Sequence, residues 1–137
     1  MPIPLRVVSV EESLFEGEAD FIVATGSDGE LGILPNHAPL LTTLRPGPML
    51  IRNRSEETEL FVGGGFLEVL QDRVTVLADV AERAEEISEE AAEEARRRAQ
   101  ERLAGQLSPE EEAEMIHILE TAEARLRLSR IRRGRPG

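Results

Sequence analysis

The stretch that decides the fold runs from Gly29 to Gly47 and reads GELGILPNHAPLLTTLRPG. Its prolines, Pro35, Pro39 and Pro46, fix φ and remove a backbone donor, so no helix crosses the stretch. The residue before each proline is biased towards extended geometry, and glycine permits turns that other residues disfavour. The pattern predicts short extended pieces joined by rigid corners at one end of a β domain. Such a segment either presents a stiff loop to a partner or forms two hairpin connections.

Short aliphatic and β-branched runs flank this stretch, and turn signals such as Gly26–Gly29 and Gly63–Gly65 separate them. We predict strands at Leu5–Val10, Ser13–Phe15, Asp20–Thr25, Met49–Arg54, Glu59–Val62, Phe66–Gln71 and Val74–Ala78. Many short strands at this spacing predict an antiparallel sandwich or a flattened barrel. The Gly63–Gly65 run lies between strands and lacks the lysine of a phosphate loop, so it predicts a bulge or a close backbone approach.

The pattern becomes helical after residue 86. Alanine and leucine recur at every fourth position and predict the contact face of a first helix that starts near Ser88. The residues of that face are Ala91, Ala95, Ala99 and Leu103. The run Ser108–Glu111 has a serine, a proline and a glutamate placed for a capping box, and it predicts a second helix from Pro109 to about Ile131. The apolar side of that helix comprises Met115, Ile116, Leu119, Ala122 and Leu126.

Both predicted helices begin acidic and end basic, which complements the helix macrodipole. In the first helix, Glu93 and Arg97, and likewise Glu94 and Arg98, have the spacing of ion pairs. In an antiparallel pair, the basic end of each helix also lies beside the acidic start of the other. The alanine-rich face buries little apolar area, and exposed ion pairs add little stability, so such a pair can open. The arginine-rich second helix could then contact an acidic surface elsewhere. A permanently docked pair with solvated charges is the alternative.

The composition argues against several classes of function. The chain of 137 residues has no cysteine, and its net charge of −11 argues against nucleic acid as a partner. The two histidines, His37 and His117, fall in different predicted domains, and no nucleophile, acid/base pair or metal-ligand set is recognisable. We therefore expect no catalytic residue and no metal site. No apolar run approaches the roughly 20 residues that span a bilayer, so we expect no direct membrane insertion.

Three blocks of the sequence resemble the epsilon subunit family of the F-type ATP synthase: Gly29–Leu41, Gly64–Val69 and Val74–Asp79. The resemblance extends over the whole chain. It implies a β + α fold, with a ten-stranded antiparallel β-sandwich in residues 1–86 and an antiparallel two-helix hairpin in residues 87–137. It also implies a non-catalytic central-stalk subunit of a bacterial proton-translocating ATP synthase, bound peripherally at the cytoplasmic face of the plasma membrane.

The resemblance implies which surfaces meet which partners. The β-sandwich is expected against the gamma subunit and the c-ring, and the movable helices extend towards the alpha and beta subunits, where they inhibit ATP hydrolysis. Contact with the c-ring or stalk is expected at a turn formed by Glu30, Leu31 and Gly32, and at His37. We hypothesise that the inhibitory contacts come from the arginines of the second helix: Arg125, Arg127, Arg130, Arg132 and Arg133.

Some members of this family bind ATP as a regulatory ligand, with the signature Ile/Leu-Asp-x-x-Arg-Ala at the start of the first helix. In this chain, Ser88 stands at the aspartate position and Ala91 at the arginine position. Glu82, Ile87 and Arg98 match other positions of that nucleotide site. Because a cation that faces the phosphates is missing, we expect ATP binding to be weak or absent, and we expect no other cofactor.

Two other classes of protein fit parts of the sequence. A stand-alone β-sandwich adaptor that binds a partner helix or peptide would also lack catalytic groups. A pull-down experiment distinguishes the two, because such an adaptor would capture a partner other than a gamma-like coiled-coil subunit. A β-barrel enzyme that modifies a carbohydrate or metabolite fits less well, because the sequence offers no acid/base pair or metal set.

Overall fold

The computed structural model describes residues 2–134, which form two compact units that divide between Ala84 and Glu85. The sequence analysis placed this division after residue 86. The first unit contains the strands β1 Ile3–Ser9, β2 Ser13–Ala19, β3 Phe21–Gly26, β4 Gly29–Ile33, β5 Leu40–Asn53, β6 Glu56–Leu70, β7 Arg73–Ala78 and β8 Ala81–Arg83. A short 3-10 turn at Ala84–Glu86 spans the boundary, and the second unit contains α1 Glu89–Leu103 and α2 Pro109–Arg133.

The strands are connected in the order β2-β1-β7-β6-β5-β3-β4, and β8 pairs with β6. The two long strands β5 and β6 pair with each other from Leu40–Val69 to Asn53–Glu56. The last part of β6 also pairs with β7, whereas its first part pairs with β8. Because β5 and β6 change neighbours along their length, they run through both layers of a β-sandwich.

The described residues form eight strands, so the predicted count of ten strands is wrong. The separate runs Glu59–Val62 and Phe66–Gln71 were predicted as two strands, but both lie within β6, which continues through the glycine run. Likewise, β5 continues through Pro46 and Pro48. The pairing of β3 with β5 slips in register between Val23 and Gly26, and a slip of this kind leaves room in a strand for residues without an N–H donor.

The pairing is also not entirely antiparallel. Strand β1 runs parallel to β7, from Leu5 beside Val74 to Ser9 beside Ala78. The other strand pairs are antiparallel within the part of the chain that the structure covers. The prediction of a wholly antiparallel sandwich is therefore wrong at this one ladder. The long connection from β1 to β7 passes through five other strands, which makes a parallel return possible.

The core of the sandwich is aliphatic, as the composition predicts. Alternate residues point inwards along the strands, and the large ones include Leu5, Ile22, Ile33, Met49, Ile51, Leu67 and Val76. Each of these side chains is at most 1% exposed. Burial of one such side chain stabilises the fold by roughly 1.5–3 kcal/mol relative to its exposed state.

The glycine run in β6 forms the close backbone approach that the sequence predicts. Gly64 and Gly65 have φ angles of +106° and +125°, which side chains disfavour. A Cβ atom on Gly65 would lie 2.1 Å from the carbonyl oxygen of Leu77 on the neighbouring strand. Only glycine fits there, because any side chain would collide with the backbone of β7.

The two helices begin where their capping residues predict. Ser88 caps α1 and accepts a hydrogen bond from the N–H of Ala91 at 3.2 Å. At α2, the Ser108 hydroxyl accepts from the N–H of Glu111 and the Ser108 N–H donates to the Glu111 carboxylate, both at 3.1 Å. The predicted capping box is confirmed. Helix α2 extends two residues beyond its predicted end, to Arg133.

The buried faces of the helices agree with the predicted ones in part. In α1, Ala99 of the predicted face is buried and Ala95 and Leu103 are half-buried, but Ala91 is exposed and Ala92 is buried in its place. In α2, the predicted residues Ala122 and Leu126 are buried, whereas Ile116 is 41% exposed. Ala124 and Leu128 are also buried. A regular repeat identifies a helix, but the position of its neighbours decides which side is buried.

The ion pairs within α1 follow the prediction in part. Arg98 Nε lies 2.9 Å from Glu94 Oε1, so the predicted pair of Glu94 and Arg98 is confirmed. Glu93 instead pairs with Arg96, one residue closer along the chain. Arg97 pairs with Glu94 and Glu101, each at 2.6 Å, rather than with Glu93. Residues three and four apart are both neighbours on a helix, so either spacing satisfies the charges.

Candidate functional site

The predicted contact residues Glu30–Gly32 lie in strand β4, directly after a tight hairpin turn. Gly26 pairs with Gly29, so the turn itself consists of Ser27 and Asp28. The prediction that Glu30–Gly32 form the turn is therefore wrong by two residues. Glu30 and Gly32 are exposed and Leu31 is half-buried. Among the described residues, strand β4 pairs only with β3 and is an edge of the sheet, which leaves this edge open to a partner.

His37 lies in the connection between β4 and β5. Its backbone N–H donates to the Leu34 carbonyl at 3.2 Å, and its Nδ1 donates to the Ala38 carbonyl at 2.7 Å. Asn36 adopts a φ angle of +69°, which asparagine tolerates better than most residues. These bonds hold a rigid corner, as the prolines of this stretch predict.

His37 lines a cleft of about 500 Å³, together with residues from β1, β2, β6 and β7. The lining includes the carboxylates Glu18 and Asp72, while most of the other side chains are apolar. The cleft lies at the end of β4 that Gly32 adjoins, whereas Glu30 lies two residues further back, about 7 Å away at ~3.3 Å per residue. The predicted contact residues therefore extend along β4 and into the corner that follows it.

A patch of exposed apolar side chains occupies the outer side of one layer of the sandwich. Phe66 on β6 pairs directly with Leu77 on β7, and Leu41 extends the patch on β5. These three side chains, which we call the apolar face, are 51%, 56% and 68% exposed, respectively. Side chains at opposed positions of neighbouring strands lie ~5 Å apart, so Phe66 and Leu77 form one continuous surface. Contiguous exposed apolar patches mark sites of protein–protein interaction.

The apolar face was not predicted from the sequence, although a signal for it existed. Leu67 and Val76 point into the core, so their chain neighbours Phe66 and Leu77 must point out. An apolar residue at an outward position of an alternating strand is the available signal. The predicted strands contained it, but the pairing of β6 with β7 was needed to place the two residues together.

The five arginines of the inhibitory hypothesis lie in the second half of α2. Arg127, Arg130 and Arg133 are exposed, and Arg125 and Arg132 are half-buried. Arg133 Nη1 lies 2.6 Å from Glu89 Oε2, and Arg130 Nη2 lies 3.4 Å from Glu93 Oε2. The first turns of α1 therefore hold two of the five guanidinium groups.

The residues that match the nucleotide site are distributed over different elements. Glu82 lies on β8 in the first unit, Ile87 lies between the 3-10 turn and α1, and Arg98 lies on α1. The Arg98 guanidinium already contacts Glu94. The hydrogen bond from Arg97 and the charges of Arg97 and Arg98 hold the pKa of Glu94 below its usual range. The expectation of weak or absent ATP binding stays a prediction.

The described residues offer little for bond chemistry. Within residues 2–134, no three histidine, aspartate or glutamate side chains are close enough together to hold a metal ion. Over the same residues, every buried side-chain nitrogen or oxygen has a hydrogen-bond partner. Neither α1 nor α2, nor any other helix in this part of the chain, is long and apolar enough to cross a membrane.

A β-sandwich with an exposed apolar face, followed by two charge-polarised helices, defines a class of subunit that acts through contact surfaces. Residues 2–84 match the family model described as "ATP synthase, Delta/Epsilon chain, beta-sandwich domain". A protein of Acidithiobacillus ferridurans called ATP synthase epsilon chain is 50% identical over 113 residues, which cover 82% of this chain and 80% of that protein. A protein of the same name from Dehalococcoides mccartyi is 46% identical over 139 residues, covering 98% and 96%.

Solved structures share the fold at low sequence identity. A chain in the Euglena gracilis mitochondrial ATP synthase matches with a TM-score of 0.77 and 21% identity over 90% of this chain and 78% of that chain. A chain in the Tetrahymena thermophila mitochondrial ATP synthase, from its central stalk and c-ring, matches with a TM-score of 0.72 and 12% identity over 94% and 97%.

The chain belongs to the ATP synthase epsilon chain family. The family predicted from the sequence is confirmed, and the chain is accordingly a non-catalytic subunit of an ATP synthase.

Proposed function

We propose that this chain is a central-stalk subunit that couples the rotor through its β-sandwich and inhibits ATP hydrolysis through movable C-terminal helices. The observation that carries the proposal is the apolar face of Leu41, Phe66 and Leu77. An exposed phenylalanine and two exposed leucines on one sheet are costly in water unless a partner covers them. A gamma subunit that presents apolar side chains is the proposed occupant, and the c-ring lies beside it.

The end of β4 is the proposed site of contact with the c-ring. Glu30 and Gly32 are exposed on an edge strand, which favours contact with a loop of another subunit. A cysteine in place of Glu30 should form a cross-link to a cysteine in the polar loop of the c-subunit. A matched cysteine in place of Glu57, at the far end of β6, should not. Equal yields from both positions would reject the proposed contact.

The helices supply the proposed brake. In the paired state they form an antiparallel hairpin, an arrangement supported by ion pairs at both ends. Glu89 and Glu93 pair with Arg130 and Arg133 at one end. Arg102 lies 3.5 Å from Glu111 at the other end, beside the connection. When the pair opens, the basic end of α2 becomes available to acidic segments of the alpha and beta subunits.

Neutralisation of the α2 arginines tests the brake. We expect glutamine at Arg125, Arg127, Arg130, Arg132 and Arg133 to raise ATP hydrolysis by the assembled complex several-fold, because several charge-assisted contacts are lost together. The control places glutamine at Arg97 and Arg98, whose ion pairs lie within α1, and should leave hydrolysis near the wild-type rate. Unchanged hydrolysis by a complex that has incorporated the α2 variant would reject the brake.

The proposed location follows from these partners. A subunit held between a rotor shaft and a membrane-embedded ring is peripheral to the membrane. The relatives named above come from bacteria, so we place the chain at the cytoplasmic face of the plasma membrane. Fractionation should recover the chain with membranes that contain the complex and release it when the complex is stripped from them. This location would be contradicted if the whole of the chain were recovered in the soluble fraction while the complex stayed intact on the membrane.

A further inference from the structure

The end of the helix pair that lies away from the connecting residues 104–108 carries ion pairs between α1 and α2. Glu89, in the first turn of α1, contacts Arg133 at 2.6 Å and Arg130 at 3.8 Å. One turn later, Glu93 contacts Arg130 at 3.4 Å. Two carboxylates of α1 thus hold two guanidinium groups near the end of α2. We call these four residues the end cluster.

Apolar packing at this end comes mostly from α2. Leu126 and Leu128 of α2 are buried there, whereas the apolar residues of α1 before Leu103 are all alanines. An alanine side chain buries a small apolar area, so α1 contributes to this end chiefly through its two carboxylates. The chain connection keeps α1 and α2 close only at the opposite end. The ion pairs of the end cluster therefore act where no covalent connection holds the helices together.

The end cluster uses the same cations as the proposed brake. Arg130 and Arg133 belong to the five arginines expected to meet an acidic surface on the alpha and beta subunits. In the closed pair, Glu89 and Glu93 occupy hydrogen-bond donors of these guanidinium groups. An acidic partner must displace both carboxylates before it binds the arginines fully. The internal and external carboxylates therefore compete.

We propose that Glu89 and Glu93 form an internal latch that competes with the acidic partner for Arg130 and Arg133. The strength of the latch sets the fraction of chains whose C-terminal helices are open. The proposal rests on the proposed brake, in which the open form inhibits hydrolysis. Arg130 and Arg133 are 56% and 67% exposed, so dissolved salt screens the latch and its pairs stay weak enough to release.

The latch is tested first in the isolated full-length chain, without the enzyme. The chain has no native cysteine, so spin labels at Ala91→Cys and Gly134→Cys report the distance between the two helix ends unambiguously. At low salt, Glu89→Gln should raise the open fraction roughly three- to tenfold, since contacts to two arginines are lost. An unchanged distance distribution would overturn the latch.

Glu90→Gln is the matched control. Glu90 lies in the same first turn of α1, is exposed, and has no ion pair within residues 2–134. Its substitution removes the same charge from the same helix end but leaves the latch intact, so the open fraction should stay at the wild-type level. Equal opening by Glu89→Gln and Glu90→Gln would show a general effect of helix charge and would overturn the latch.

A second readout separates the latch from the brake. In the assembled complex, Glu89→Gln should lower ATP hydrolysis relative to Glu90→Gln, because more chains adopt the open form. If the open fraction rises and hydrolysis does not change, the latch stands and the brake fails. If the open fraction does not rise, the latch fails whatever hydrolysis does. Raising the salt concentration towards 1 M should open the wild-type chain and abolish its difference from Glu89→Gln.

Discussion

Gly65 lies where β6 and β7 approach too closely for any side chain. Its φ angle of +125° belongs to a backbone region that side chains disfavour, and its absent Cβ leaves room for the Leu77 carbonyl oxygen. Two independent costs, backbone strain and collision, therefore oppose any substitution. The position lies beside Phe66, so it also supports the apolar face.

We predict that Gly65→Ala lowers the free energy of unfolding by roughly 2–4 kcal/mol, measured by urea denaturation of the full chain. Gly29→Ala is the matched control. Gly29 has a similar φ angle of +127°, but nothing lies within 4 Å of its Cβ position, so it carries the strain without the collision. Gly29→Ala should cost about 1–2 kcal/mol. Equal losses at both positions would contradict the role given to the Leu77 contact.

Single residues were predictable from the sequence where their chemistry is local. The glycine run requires a close approach or bulge, and Pro35 and Pro39 require a rigid corner, whatever surrounds them. The alternation along β6 signals the outward position of Phe66, but its place beside Leu77 was not recognised, because that depends on the pairing of β6 with β7. The hairpin turn was predicted two residues too late, at Glu30, because its position depends on the pairing of Gly26 with Gly29.

The start of α2 is the element whose stability depends most directly on a local motif. Ser108 and Glu111 satisfy each other's backbone N–H groups, which would otherwise lack partners at the helix end. The hydrogen bond from the Ser108 N–H is the largest cause that holds the pKa of the Glu111 carboxyl below its ordinary value near 4.5. Hydrogen bonding with the Ser108 hydroxyl is the second cause. The carboxylate form is therefore favoured in the folded chain.

This lowered pKa fixes the direction of a pH effect. Because the folded pKa lies below the unfolded one, the Glu111 carboxylate stabilises the fold above about pH 4.5, and this stabilisation is lost as the pH falls through the folded pKa. Ser108→Ala should cost about 1 kcal/mol at neutral pH, measured by thermal unfolding with far-UV circular dichroism. Glu111→Gln should destabilise at neutral pH, and its difference from wild type should shrink on acidification.

Glu112→Gln is the control for this element, because Glu112 lies in the same first turn and takes no part in the capping box. Its effect should be small at every pH. The capping role of Glu111 would be contradicted if the stability difference between Glu111→Gln and wild type did not vary with pH. It would also be contradicted if Glu112→Gln showed the same difference.

Elements were predicted well where their ends carry a signal and poorly where they do not. Ser88, Ser108 and Pro109 mark helix starts by local chemistry, and both helices begin there. The buried side of α1 passes through Ala92 rather than Ala91, because both are small and only the neighbouring helix distinguishes them. Strand β5 contains Pro46 and Pro48, which locally signal an interruption. The register slip that admits them arises from the pairing with β3.

At the scale of the whole molecule, contact surfaces rather than reactive groups characterise the chain. The β unit presents an apolar face, and the helical unit presents a basic end in a chain whose net charge is −11. The family was recognisable from three sequence blocks, and the first of them combines glycines and prolines that only a particular backbone requires. The apolar face and the latch between Glu89 and Arg133 were not predictable as such, since both join residues far apart in the sequence.

We claim that the chain works by binding the rotor through its apolar face, and the affinity of the full-length chain for the purified gamma subunit bound to its c-ring tests this. We expect the wild-type chain to bind specifically. Phe66→Glu, which places a charge at the centre of the apolar face, should weaken the affinity about 100-fold. Ile116→Glu, an equal charge change at an exposed apolar position of α2, should change the dissociation constant less than about twofold. No binding by the wild-type chain, or unchanged binding by a correctly folded Phe66→Glu variant, would contradict the account.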